Sequence, residues 1–218
     1  MLAQTHSYAR SGPPAAAPDQ PIDGQPSLIG ITRSFGRGQE VFGEGDSADH
    51  VYRVVSGAVR VQRVLADGRR QIEEFYLPGD VFGVEFSALR RATAETLGET
   101  TLVVARRTTA AADPAQAERL WDHALRELAR CHDHVLTLGL RSAAERIATF
   151  LVELAARLGG DDEVELPMSR QDIADYLGLT IETVSRTLTQ LQTRGLIRLN
   201  GCRHIRFARP AALAELCE

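Results

Sequence analysis

The stretch from Ser169 to Leu191, SRQDIADYLGLTIETVSRTLTQL, admits few folds. Ser169 with Asp172 three residues on is a capping-box variant, aspartate standing where Glu or Gln is usual. It opens a short helix, Arg170 to Leu177, whose apolar face is Ile173, Ala174 and Leu177. Gly178-Leu179 turns the chain, and Thr180 caps a second helix running to about Thr193. In that helix Val184, Leu188 and Leu191 recur at steps of four and three, the buried stripe of an amphipathic helix. Ala174 is small where the two helices must cross closely. After Arg194-Gly195 come Leu196-Ile197-Arg198-Leu199, Asn200-Gly201 and His204-Ile205-Arg206-Phe207. Asn-Gly between strand-like runs predicts a two-residue hairpin. Helix, short turn, helix and hairpin make a winged helix-turn-helix.

The second helix presents Glu182, Ser185, Arg186 and Thr189 opposite its apolar stripe. In a helix-turn-helix the start of the second helix enters the major groove. Arg186 can donate two hydrogen bonds to guanine O6 and N7, and Glu182 can accept from the cytosine amino group. Ile181 can press on a thymine methyl, and Ser185 can bond a base or a phosphate. The bland alternative is a surface ion pair between Glu182 and Arg186, four residues apart, worth only ~0.3–0.5 kcal/mol. The turn glycine, the small crossing residue, the cap and the wing at matching offsets favour base reading. Ser169, at a helix N-terminus, is a candidate phosphate contact as well as a cap. Thr180, Thr183 and Thr189, with Arg170, Arg194, Arg198 and Arg203, complete the candidate phosphate contacts.

Upstream the pattern differs. Residues 1–27, rich in Ala, Pro, Gly, Ser and Gln, read as a flexible tail. Residues 28–112 carry short β-branched runs such as Val51-Tyr52-Arg53-Val54-Val55, parted by Gly43-Glu44-Gly45-Asp46, Ser56-Gly57 and Pro78-Gly79-Asp80. Regular short strands with glycine turns predict a β-roll or jelly roll. Residues 113–142 predict a long dimerisation helix. Ala117, Trp121, Ala124, Leu128, Cys131, Val135, Leu138 and Ser142 recur at alternating steps of four and three, a coiled-coil seam. An intrachain core is the competing reading of that stripe. Residues 143–218 hold a further helix, Ala143 to about Leu158, and the winged unit. The fold class is thus α+β.

Every one of the 25 basic residues is arginine. Residues 164–209 carry seven arginines against four acidic residues, on a chain of net charge −4. A basic segment on an acidic chain suggests a local anionic partner. Three cysteines without C-x-x-C spacing fit a reducing cytoplasm and argue against structural zinc or an iron–sulfur cluster. No apolar run approaches the ~18 residues of a membrane span, and no secretory leader is apparent. Catalysis, a metal and a cofactor are all not expected. His50 stands alone in the roll, and His132 and His134 face different ways, which leaves a metal-dependent β-roll enzyme without its ligands.

The layout resembles the Crp/Fnr family of bacterial transcription regulators from about residue 30 onward. Ser169–Leu191 carries the strongest match, with Phe42-Gly43-Glu44-Gly45-Asp46, Val55-Ser56-Gly57 and Leu77-Pro78-Gly79-Asp80-Val81-Phe82-Gly83 in the roll. Glu182-x-x-Ser185-Arg186 is similar to the Fnr/FixK pattern. The resemblance implies a DNA-bound homodimer on inverted TTGA half-sites. Glu182, Ser185 and Arg186 would contact bases there, with Ile181 beside a thymine. RNA polymerase is the implied partner, and low-oxygen or nitrogen-fixation control the implied role. The sensor departs from the family's cyclic-AMP binders. Val84 stands where their ribose-binding glutamate would, and Ala94-Glu95 where their phosphate-binding Arg-Ser would. A glutamate facing a phosphate would repel it, so no cyclic nucleotide is expected. A ligand-dependent regulator of Crp type is the alternative.

Overall fold

The structure is a computed structural model describing residues 28–107, 114–160 and 162–217; the expected tail at 1–27 lies outside them. Eight strands come first: β1 (Ile31–Phe35), β2 (Glu40–Phe42), β3 (His50–Ser56), β4 (Val59–Val64), β5 (Arg70–Tyr76), β6 (Val81–Phe82), β7 (Thr93–Thr96) and β8 (Thr100–Arg106). They form two four-stranded sheets, ordered β1-β8-β3-β6 and β2-β7-β4-β5, with antiparallel pairing throughout. Glycine makes the tight entry to β4 possible. Gly57 has φ +80°, and a Cβ there would lie 2.4 Å from the Glu99 carbonyl oxygen.

Aromatic rings fill the space between the sheets. Phe42, Tyr52, Tyr76 and Phe82 stack or tilt against one another at centroid distances of 5.1 to 6.2 Å. Arg90, only 2% exposed, lays its guanidinium 4.1 Å from the Phe42 ring centroid and donates to the carbonyls of Gly83 and His50. The structure corrects the expectation for Glu95. Along β7 the buried Ala94 points inward, so strand alternation turns Glu95 outward, to Arg60 at 2.9 Å.

Helix α1 (Pro114–Leu140) spans 27 residues, about 40 Å. It ends before Ser142, which the sequence pattern placed in the seam. Ser142 is instead the N-cap of α2 (Ala143–Leu158), with Glu145 completing a capping box. Gly159, in the left-handed conformation, stops α2 after Leu158, the end that the sequence predicts. Of the seam residues, Trp121, Leu128, Cys131 and Val135 are exposed, and Ala124 and Leu138 are half-buried. Leu125, Leu136 and Leu140 are exposed as well, so the uncovered apolar face is wider than the seam. Among the described residues no helix is long and apolar enough to cross a membrane.

The last unit holds β9 (Glu163–Glu165), α3 (Arg170–Leu177), α4 (Ile181–Thr193), β10 (Ile197–Asn200), β11 (His204–Phe207) and α5 (Pro210–Ala214). Strand β9 pairs with β11 and widens the wing to three strands, ordered β10-β11-β9. The hairpin differs from the two-residue reading. Asn200 pairs with His204, so the loop is Gly201-Cys202-Arg203, with φ +75° at Gly201. One apolar cluster runs through both halves of the chain. It joins Ala58, Ile72, Phe75, Leu77 and Leu97 of the roll to Ile147, Phe150, Ile173, Tyr176, Val184 and Leu188.

Candidate nucleic-acid interface

Local chemistry forms α3 and α4 where the sequence places them. The Ser169 hydroxyl accepts from the Asp172 amide at 3.1 Å, and the Asp172 carboxylate accepts from the Ser169 amide at 2.9 Å. Gly178, at φ +63° and ψ +39°, closes α3. The Thr180 hydroxyl accepts from the Thr183 amide at 3.2 Å and caps α4. Ala174, Val184, Leu188 and Leu191 are buried, as the crossing of the two helices requires.

With its apolar stripe turned inward, α4 sets Ile181, Glu182, Arg186 and Thr189 in solvent and leaves Ser185 half-exposed. Among the described residues no ion pair joins Glu182 to Arg186, so the bland alternative is not realised. The Glu182 carboxyl is held below its ordinary value by its own backbone amide and by the Thr180 hydroxyl. Arg170, on α3, donates to the Ser185 hydroxyl at 3.3 Å. Arg170, Ser185, Arg186, Thr189, Gln190 and Arg194 line one open groove of about 580 Å³.

The structure also arranges the flanks. Ser169, at the start of α3, and Arg194, at the end of α4, are exposed. Arg198 is exposed on β10, and Arg203 is half-buried in the wing loop. Thr180 and Thr183 bond to each other through their hydroxyls at 3.2 Å, and the Thr189 hydroxyl donates to the Ser185 carbonyl at 3.0 Å. Arg206 was missed by the sequence reading. It stands opposite Arg198 in the β10–β11 register, and both are exposed. Like charges directly opposite repel, and on its other side Arg206 has Glu163 of β9 as its register partner. The alternation of HIRF, with Ile205 and Phe207 buried, was the signal that could have found it.

The winged unit that carries α4, the candidate reader of bases, is fixed to the rest of the chain by arginines. Arg146, in the first turn of α2, donates to the carbonyls of Arg141 at 2.9 Å, Leu177 at 3.0 Å and Leu138 at 2.7 Å. It thereby ties the ends of α1 and α3 together. Asp172 receives Arg60 at 2.8 Å and Arg70 at 2.7 Å, from β4 and β5. Burial would raise the Asp172 pKa, but the Ser169 hydrogen bonds and the two guanidinium groups hold it below its ordinary value.

Comparison with known proteins agrees with this geometry. Residues 145–216 match the Crp-like helix-turn-helix domain, and residues 32–111 match the cyclic nucleotide-binding domain. The nitrogen fixation regulation protein FixK of Rhizobium meliloti is 46% identical over 187 residues, which cover 86% of this chain and 87% of that protein. FixK of Azorhizobium caulinodans is 46% identical over 199 residues, covering 87% and 80%. The solved structure of FixK2 from Bradyrhizobium japonicum superposes with a TM-score of 0.83 at 44% identity, covering 88% of this chain and 98% of that one.

Proposed function

Because the chain belongs to the Crp/Fnr family of transcription regulators, with FixK proteins among its relatives, we propose that it acts as a homodimeric, FixK-type activator on a palindrome of TTGA half-sites. The observation that carries this reading is the outer face of α4. It holds a carboxylate, a hydroxyl and a guanidinium free of one another's ion pairs, on a capped helix start backed by α3. Arg186 reads guanine, Glu182 accepts from cytosine, Ser185 bonds a base, and Ile181 packs on a thymine methyl. Ser169, Arg170, Thr180, Thr183, Thr189, Arg194, Arg198 and Arg203 hold phosphates, and Arg206 joins them.

The uncovered face of α1 supports pairing. A helix that leaves Trp121 61%, Leu128 51% and Val135 59% exposed needs an apolar partner, and a second copy supplies one of matching register. The half-sites then lie about one DNA turn apart, roughly 34 Å. Roll and wing surfaces face RNA polymerase, and the genes served are those of nitrogen fixation, the control named for the FixK relatives, and of low-oxygen growth.

Arg186→Ala and Arg198→Ala test the assignment in binding titrations at fixed salt. The first removes the preference for TTGA over a scrambled half-site, worth ~1–3 kcal/mol for a bidentate contact. The second weakens binding to both duplexes alike. Equal losses of preference in the two variants would refute the base-reading role.

A further inference from the structure

The reader leaves α1 at Arg141–Ser142, a single covalent joint. Rotation there would swing α4 and change the distance between the two reading helices of a dimer. Arg146 holds the joint itself, and away from it two kinds of contact between roll and reader oppose rotation. The apolar cluster shared by roll and reader is non-directional and tolerates sliding. The ionic contacts are directional, because a guanidinium bonds along fixed N–H vectors.

One set of ionic contacts joins Arg157 of α2 to Asp80 at 2.7 Å and Glu74 at 3.4 Å; the other meets on α3. Asp172 divides its carboxylate. Oδ2 closes the capping box with Ser169, and Oδ1 takes Nη1 of Arg60 and Nη2 of Arg70. Asp175, one turn on, accepts from Nε of Arg70 at 2.7 Å. Arg60 is held in turn by Glu95 at 2.9 Å, across the β4–β7 pairing. Asp172 is 3% exposed, so water does not replace these bonds freely. In this sheet alignment the outward Glu95 has a use: it aims Arg60 at the reader.

We infer that Arg60 and Arg70 are positioning residues for DNA recognition, which lock the angle between roll and reader and so set the half-site spacing that the dimer accepts. They touch no base. The lock needs no added ligand, because both partners of each ion pair belong to the chain. This inference rests on the DNA-reading proposal above and extends it from the identity of the bases to their separation.

The test uses the full chain and duplexes with two inverted TTGA half-sites. One duplex has the spacing selected by the wild type from random sequence, and two others have one base pair added or removed. Each added pair turns the second half-site by roughly 34° and moves it ~3.4 Å. The wild type discriminates between the spacings by about tenfold or more, and R60Q/R70Q lowers that ratio to about twofold. R60K/R70K, which keeps the charges, restores part of it. TTGA over scrambled sequence stays as in the wild type for both variants. The ratio is taken within one preparation, so it does not depend on the active fraction if the glutamine variant is partly unfolded. Unchanged spacing discrimination in R60Q/R70Q, with the dimer verified by sedimentation, would overturn the inference and leave base reading intact. Absence of TTGA preference in the wild type would overturn both.

Discussion

Arg146→Met tests whether one side chain holds the joint between the long helix and the reader. The substitution keeps the aliphatic volume of α2's first turn and removes three hydrogen bonds to the carbonyls of Leu138, Arg141 and Leu177. Bonds from a charged donor contribute ~1.5–3 kcal/mol each, but these three share one charge. The side chain also lines a cleft of about 300 Å³, through which water can reach part of the site. Taking the bonds at about 1 kcal/mol each, the loss is roughly 3 kcal/mol. For a chain of this size each kcal/mol moves Tm by ~2–4 °C, so Tm should fall by roughly 6–12 °C. Thermal unfolding followed by circular dichroism reads this directly. Arg146→Lys should fall between, since one ammonium cannot reach all three carbonyls with the fork geometry of a guanidinium. A fall of less than about 2 °C for the methionine variant would mean that the carbonyls are equally well served by water, and the pinning argument would be refuted.

Two further outcomes follow from the same region. His134 stacks on Tyr176 at 4.1 Å, and burial pushes its pKa below the ordinary 6.5, against a smaller opposing effect of its bond to the Tyr176 backbone. A histidine whose folded pKa is lowered takes up its proton more readily in the unfolded chain. Its contribution is therefore fully present above pH 6.5 and is lost as pH falls through that value. Stability measured by denaturant titration should decline from pH 7 toward 5.5, and His134→Phe, which keeps the stacking, should flatten the decline. Gly178→Ala should cost ~1–2 kcal/mol through the left-handed backbone alone. A Cβ there meets nothing nearer than 3.8 Å, so a loss much above this would point to a clash that the structure does not contain.

The parts legible in the sequence are those whose cause is local. Ser169 with Asp172, Gly178 and Thr180 fix the ends of α3 and α4 within a few residues of chain, and the structure places them as the spacing predicts. The outward face of α4 followed from helical periodicity alone. The loop of the wing was misjudged by one residue, because Asn200-Gly201 predicts its turn while the pairing of Asn200 with His204 is decided by the register of β10 against β11. Strand β9 was overlooked because Glu163-Val164-Glu165 is too short to show alternation and depends on its partner. The orientation of Glu95 was lost for a related reason: counting from a motif locates a residue along the chain but not the face of the strand on which it falls. Asp172 and Arg60 are 112 positions apart, and no local pattern brings them together.

The unbroken apolar cluster from Ile72 to Leu188 bears on how such a molecule can be taken apart or recombined. A reader cut away at α2 would carry Phe150 and Tyr176 with the Phe75 side of their packing gone, at centroid separations now closed to 6.2 and 5.1 Å. Transplanting it onto a foreign roll demands a matching ring at the position of Phe75. In this chain the roll and the winged unit are therefore not interchangeable cartridges, because each side of the contact is shaped to the rings of the other.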